Sequence, residues 1–153
     1  MTITFRTVDE FKGSAGTELG AGEWFTVTQD RIDSFADVTE DHQWIHVDTG
    51  RAAASEIGST VAHGYLTLSL IPRLSSELFT FDSAGRAINY GLDKVRFPSF
   101  VRPGNRIRAR GRIDWTREIA NGGVLGCVRY TIEIEDGQAP ACVADALMVA
   151  FPI

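Results

Sequence analysis

The chain has 153 residues, 44% apolar and 23% charged, a balance that fits one globular domain over residues 1–153 and excludes a disordered chain. A net charge of −5 argues against nucleic acid as a partner, and no apolar run has the length of a membrane span. Met1-Thr-Ile-Thr-Phe-Arg6 lacks the basic start and apolar core of a secretory signal, so a cytoplasmic location is expected.

Residues 22–27 read as a short strand. Thr28 is a candidate N-cap for a helix with Asp30 in its first turn and Ile32, Phe35 and Ala36 on one side. Asp48 is placed to cap a second helix that runs through Arg51-Ala-Ala-Ala-Ser-Glu-Ile57 and stops at Gly58. The spacing of Leu66, Leu70, Leu74 and Leu78 predicts a central helix over 63–79, widened by Leu68 and Ile71 into an apolar girth that calls for burial. Pro72 removes one backbone bond from that helix and kinks its axis.

After residue 86 helical spacing gives way to alternation. Ile88, Tyr90 and Leu92 share one phase and Val95 and Phe97 the other, a slip that predicts a bulge near Asp93. Residues 106–119 form a long strand. Asn121-Gly122-Gly123 turns the chain into a second alternating strand from Val124, and Asp136-Gly137 turns it again. The last strand, Ala141 to Phe151, is apolar at most positions, as in a strand covered on both faces. These elements make an α+β domain in which an antiparallel sheet wraps one long helix, the shape called a hot dog.

Four groups of residues could carry chemistry. The first lies in Asp37-Val-Thr-Glu-Asp-His-Gln-Trp-Ile-His-Val-Asp48, where Asp41 precedes His46 by five positions. In a regular helix the two would sit roughly 140° apart, so they converge only if the chain bends between them. An acid and an imidazole on one water form a kit for moving protons; the plainer alternative is a turn-capping Asp41 and a core His46 bonded to backbone. The second is His63-Gly64. Gly64 has no Cβ, so its N–H can approach a ligand at the helix start, unless the glycine serves only tight packing. His63 reads as a neighbour that holds the loop by a ring hydrogen bond. The third is the stripe Arg106, Arg108, Arg110 and Arg112 on one strand face, either a phosphate-binding surface or a solvated ladder paired with Glu133 and Glu135. The fourth is a metal site built on His42 and His46 with Asp41 or Asp48, which lacks a clearly placed third ligand; no metal is expected. Cys127 and Cys142 sit in strands without metal spacing and read as small core residues.

Together these residues resemble the MaoC-like (R)-specific enoyl-CoA hydratases, in particular their NodN-like single-domain subgroup. Glu40-Asp41-His42-Gln43-Trp44-Ile45-His46 corresponds to the family's Gly-Asp, Asn-Pro, aliphatic, His signature, with Glu40 and Gln43-Trp44 as departures. Val61-Ala62-His63-Gly64-Tyr65-Leu66 matches the His-Gly that opens the central helix. Val95-Arg96-Phe97-Pro98 and Val101-Arg102-Pro103-Gly104-Asn105 resemble the strand and turn that follow. The likeness spans about residues 24–150.

The resemblance implies reversible hydration of a trans-2-enoyl-CoA to a (3R)-3-hydroxyacyl-CoA. It implies Asp41 and His46 as the catalytic pair, Gly64 N–H at the thioester oxygen, and His63, Trp44 and Gln43 at the substrate pocket. It further implies an acyl-CoA substrate with coenzyme A as part of it and no separate cofactor. A homodimer follows from it too, with the thioester tunnel at the subunit boundary and a role in fatty acid metabolism. The alternatives are an acyl-CoA thioesterase on the same fold and a non-catalytic acyl-thioester-binding subunit. Residues 65–76 hold no Asp or Glu, which counts against the thioesterase.

Overall fold

The computed structural model describes residues 1–82 and 84–153. β1 (Ile3–Phe5) and α1 (Val8–Lys12) open the chain and lead into β2 (Glu18–Ala21) and β3 (Phe25–Thr26). Three helices follow, α2 (Gln29–Thr39), α3 (Trp44–Val47) and α4 (Thr49–Ala53). The central helix comes next as two pieces, α5 (Gly64–Ser69) and α6 (Ile71–Ser75). β4 (Phe79–Phe81), β5 (Ala84–Arg96), β6 (Arg106–Glu118), β7 (Val124–Ile134) and β8 (Cys142–Pro152) complete the domain.

The main sheet runs β2-β6-β7-β8-β5, with β3 also on β6, and its pairs are antiparallel. β6, β7 and β8 are long and alternate, and their inward positions bury Ile107, Ile113, Val128, Ile132 and Ala144 against Leu66, Leu74 and Leu78. This is the α+β, helix-in-sheet arrangement that the spacing predicts. β8 is only partly covered, since Asp145, Leu147 and their neighbours keep some solvent contact.

Several local expectations hold for the reasons given. Thr28 Oγ1 accepts from the Arg31 N–H at 3.2 Å and caps α2. Asp48 Oδ1 accepts from the Arg51 N–H at 2.9 Å and caps α4, although α4 ends at Ala53, well before Gly58. The β5–β8 register slips between Leu92 and Lys94, placing a bulge at Asp93.

The central helix departs from expectation in two ways. It spans 64–75 rather than 63–79, and it breaks at Leu70. Pro72 has no N–H to donate to the Leu68 carbonyl, so the hydrogen-bond ladder is interrupted there. It is also buried on one side only. Leu66, Leu70, Ile71 and Leu74 are inside, but Tyr65 is 70% exposed. Its open side, with Leu68 and Pro72, walls a groove of about 420 Å³ that Tyr90, Leu92 and Leu147 close from the sheet.

One unit was not anticipated. β1 pairs with β4 in parallel, and Phe5, Phe11, Phe79 and Phe81 cluster edge-on with neighbouring ring centres 5.2–6.0 Å apart. The signal was Thr7-x-x-Glu10: Thr7 Oγ1 accepts from the Glu10 N–H and starts α1.

No helix among the described residues is long and apolar enough to cross a membrane.

Candidate active site

The bend that Asp41 and His46 require is supplied by Glu40. This residue ends α2 in the left-handed region, with φ 58° and ψ 24°. A side chain there costs roughly 1–2 kcal/mol relative to glycine. After the reversal, Gln43 N–H lies 3.4 Å from Asp41 Oδ1 and the single turn of α3 carries His46 inward. His42 turns outward instead, to Asp37 at 2.9 Å.

His46 is 7% exposed. Its Nδ1 lies 2.6 Å from the Val61 carbonyl oxygen. A carbonyl only accepts, so Nδ1 carries the proton and Nε2 keeps its lone pair. Burial pushes the His46 pKa below the usual histidine value; the stacked His63 acts in the same direction, while Val61 and Asp41 oppose it. The ring is therefore neutral at pH 7, the state a proton acceptor needs.

His63 packs behind His46. The two rings stack with centres 3.7 Å apart and planes 22° apart. His63 is 2% exposed, and its Nε2–H donates to the Asp41 carbonyl at 3.0 Å. One donor atom from each of Asp41, His46 and His63 lies within 4.8 Å of the others. Two hydrogen bonds of ~2.8 Å through one water span up to about 5.6 Å, so a single water can touch both the acid and the imidazole.

A cavity of about 220 Å³ opens beside His46; among the described residues its lining includes neither Asp41 nor His63. His46, Gly64, Thr67, Phe97, Phe100 and Ala141 are among its walls. Gly64 is the first residue of α5, so its N–H has no partner within the helix. The glycine also serves packing, because a Cβ there would sit 2.8 Å from the Phe97 ring.

The remaining predicted pocket residues fall elsewhere. His63 lies behind the cavity wall, Gln43 is exposed, and half-buried Trp44 is covered by the Arg51 guanidinium at 4.3 Å. Sequence reasoning missed Gln29. Its Nε2 donates to the His46 carbonyl at 2.8 Å and its Oε1 accepts from Thr60 Oγ1. It thus ties α2 to both sides of the site. Nothing in the local spacing announces that role.

Asp41, His46 and His63 also have the composition of a metal site. The stack works against one. The in-plane lone pairs of two nearly parallel rings do not meet at a point, and one nitrogen of each ring already bonds a carbonyl. The arginine stripe is occupied: Arg106 meets Glu135, Arg108 and Arg110 share Glu133, and Arg112 meets Glu18 and Asp114. Burial raises both cysteine thiols to about 11, so they are inert core residues.

Comparison with known proteins gives the chain's family. The 3-hydroxyacyl-thioester dehydratase Z of Mycobacterium tuberculosis is 46% identical over 95% of this chain and 96% of its own. Nodulation protein N of Rhizobium meliloti is 39% identical over 94% and 91%. The solved (R)-hydratase from A. caviae involved in PHA biosynthesis superposes with a TM-score of 0.71 over 90% of this chain and 96% of its own, at 23% identity, a likeness of fold. The MaoC like domain family matches residues 10–130. That span takes in the Asp41 loop, the glycine at the helix start and most of the sheet, and on it the chain belongs to the MaoC-like dehydratase domain family.

Proposed function

We propose that the protein catalyses reversible addition of water to a trans-2-enoyl-CoA, giving the (3R)-3-hydroxyacyl-CoA. The observation that carries this reading is the approach of the Asp41 carboxylate and the His46 imidazole to within 4.8 Å beside a cavity. The name of the Mycobacterium tuberculosis relative describes the same equilibrium in the dehydrating direction.

In this reaction the water oxygen bonds to C3 while His46 Nε2 takes one of its protons and Asp41 orients it. The C2–C3 π electrons move toward the thioester, and charge collects on its oxygen as an enolate. Gly64 N–H is the donor for that oxygen; losing such a donor commonly costs about 3–4 kcal/mol of barrier. C2 then takes a proton back from the pair, so water is added overall and neither group ends changed. No metal or redox group takes part, and coenzyme A enters as the substrate's carrier.

A thioesterase that drives hydrolysis with a carboxylate on the central helix is disfavoured. Residues 65–76 have none. Glu77 is held by Arg73 at 2.8 Å and by the Glu23 N–H at 2.8 Å, away from the cavity. The test is crotonyl-CoA, followed by loss of enoyl absorbance and by product stereochemistry. Asp41→Asn and His46→Gln should each lower kcat/KM by at least ~100-fold. Thioester cleavage without any hydration would overturn the reading.

The working unit is a homodimer. β5 pairs with β8 and leaves its other edge open, with Ile88, Tyr90 and Leu92 45–67% exposed along it. An open apolar edge of this length calls for a partner, and a second copy supplies a matching edge. Light scattering should give twice the chain mass, and Tyr90→Arg should shift it toward one; a monomeric wild type would defeat the assembly.

A further inference from the structure

We propose that His63 is a positioning residue: it ties the Asp41 main chain to the face of His46, holding the two groups at one spacing without touching substrate. This rests on the reading of Asp41 and His46 as the catalytic pair.

His63 occupies the middle of a three-ring layer. His46 stacks on one side at 3.7 Å, and Phe35 of α2 packs at 4.9 Å with planes 59° apart. The layer joins α2, α3 and the start of α5, so each neighbour fixes the plane of the next. Within that plane Nε2–H reaches the Asp41 carbonyl at 3.0 Å and stands 4.0 Å from Asp41 Oδ2. The loop that carries Asp41 is thereby tied inward, against the left-handed Glu40 on one side and the outward pull of His42 on the other. The His46 ring, pinned at Nδ1 by Val61, cannot slide away from the stack.

The histidine is retained at a cost. With the proton on Nε2, Nδ1 is a buried acceptor with no partner among the described residues. Such an orphan is destabilising. A phenyl ring would keep the stack without this orphan but lose the donor, and an amide would keep a donor but lose the ring. The imidazole supplies the flat ring and the Nε2 donor together. The stack also bears on charge, because the neighbouring His63 ring adds to burial in lowering the His46 pKa. The titratable groups facing the layer are His46 from α3 and Asp41 from the loop. α2 presents uncharged Phe35, and the segment before α5 presents the Val61 carbonyl. The exposed Asp37–His42 pair lies on the outer side of the loop.

His63→Phe and His63→Gln separate the two contacts. His63→Phe keeps the ring and loses the donor; it should lower kcat for crotonyl-CoA by about 10–100-fold with KM little changed, the mark of misplaced reacting groups. His63→Gln keeps a donor and loses the ring; it should lose less kcat. In both, NMR titration of the His46 ring should move to higher pH, because the stacked imidazole that helps to lower its pKa is gone. A wild-type kcat in His63→Phe, a rise in KM at constant kcat, or an unmoved His46 titration overturns the proposal. Asp41→Asn and His46→Gln run alongside: full activity in those two defeats the catalytic pair itself, while the His46 titration in the His63 variants still reports on the stack.

Discussion

The arginine face of β6 and the Asp41–His46–His63 cluster treat polar side chains in opposite ways. On the sheet, four guanidinium groups meet carboxylates at 2.7–3.3 Å in partly exposed positions. Burial pushes the Glu133 carboxyl up, but Arg108 and Arg110 together hold it below the usual range. Every charge there is answered by its neighbour. In the cluster two imidazoles are buried, one ring nitrogen has no partner among the described residues, and a half-exposed carboxylate stands beside them. Charges that neutralise one another stabilise a surface weakly. Polar atoms kept in apolar surroundings with bonding capacity left over are the ones able to move protons.

Substitution at each region sharpens this contrast. The largest effect belongs to Asp41→Asn and His46→Gln, at least ~100-fold in kcat/KM with the fold intact by circular dichroism. Gly64→Ala comes next, since its Cβ would lie 2.8 Å from the Phe97 ring. Urea melts should show a loss of about 1–3 kcal/mol, largely recovered by adding Phe97→Ala, which removes the clashing ring atoms. A third measurement is pH. The His46 pKa lies below its ordinary 6.5, through burial first. Activity should therefore persist below pH 6.5 and then fall about tenfold per unit. Stability carries the same sign. The unfolded chain takes up the proton first, so the His46 contribution is full above 6.5 and is lost as pH falls through the lower folded value. An acid limb above 6.5 would contradict the buried neutral ring. The smallest effect is at Arg108→Met, where a cross-strand pair contributes roughly 0.2–1 kcal/mol. Stability should drop by no more than that and kcat should not move; a large loss of activity would return the stripe to the phosphate-binding reading.

Much of the fold was legible because local rules and global packing agree. Thr28 and Asp48 cap where a side-chain oxygen precedes an apolar run, and the phase slip between Leu92 and Val95 is a bulge. The residues of the pair were legible as types at a spacing, but their convergence depends on Glu40 entering a conformation that its identity does not favour. Burial of the central helix was overread. Leucine spacing reports one apolar face, and it does not say that Tyr65 faces solvent. The ring stack was out of reach. His46 and His63 are brought together by the Val61 carbonyl, the Ile45 carbonyl accepting from the Val61 N–H at 2.9 Å, and Gln29 from another helix. None of these contacts leaves a periodic trace.

The fit of Phe97 against Gly64 has an evolutionary corollary. Because the aromatic occupies the place a methyl would take, the two positions share a fixed volume, and bulk gained at one must be given up at the other. Among related chains they should covary in size, with an alanine or serine at the first accompanied by a slimmer side chain at the second.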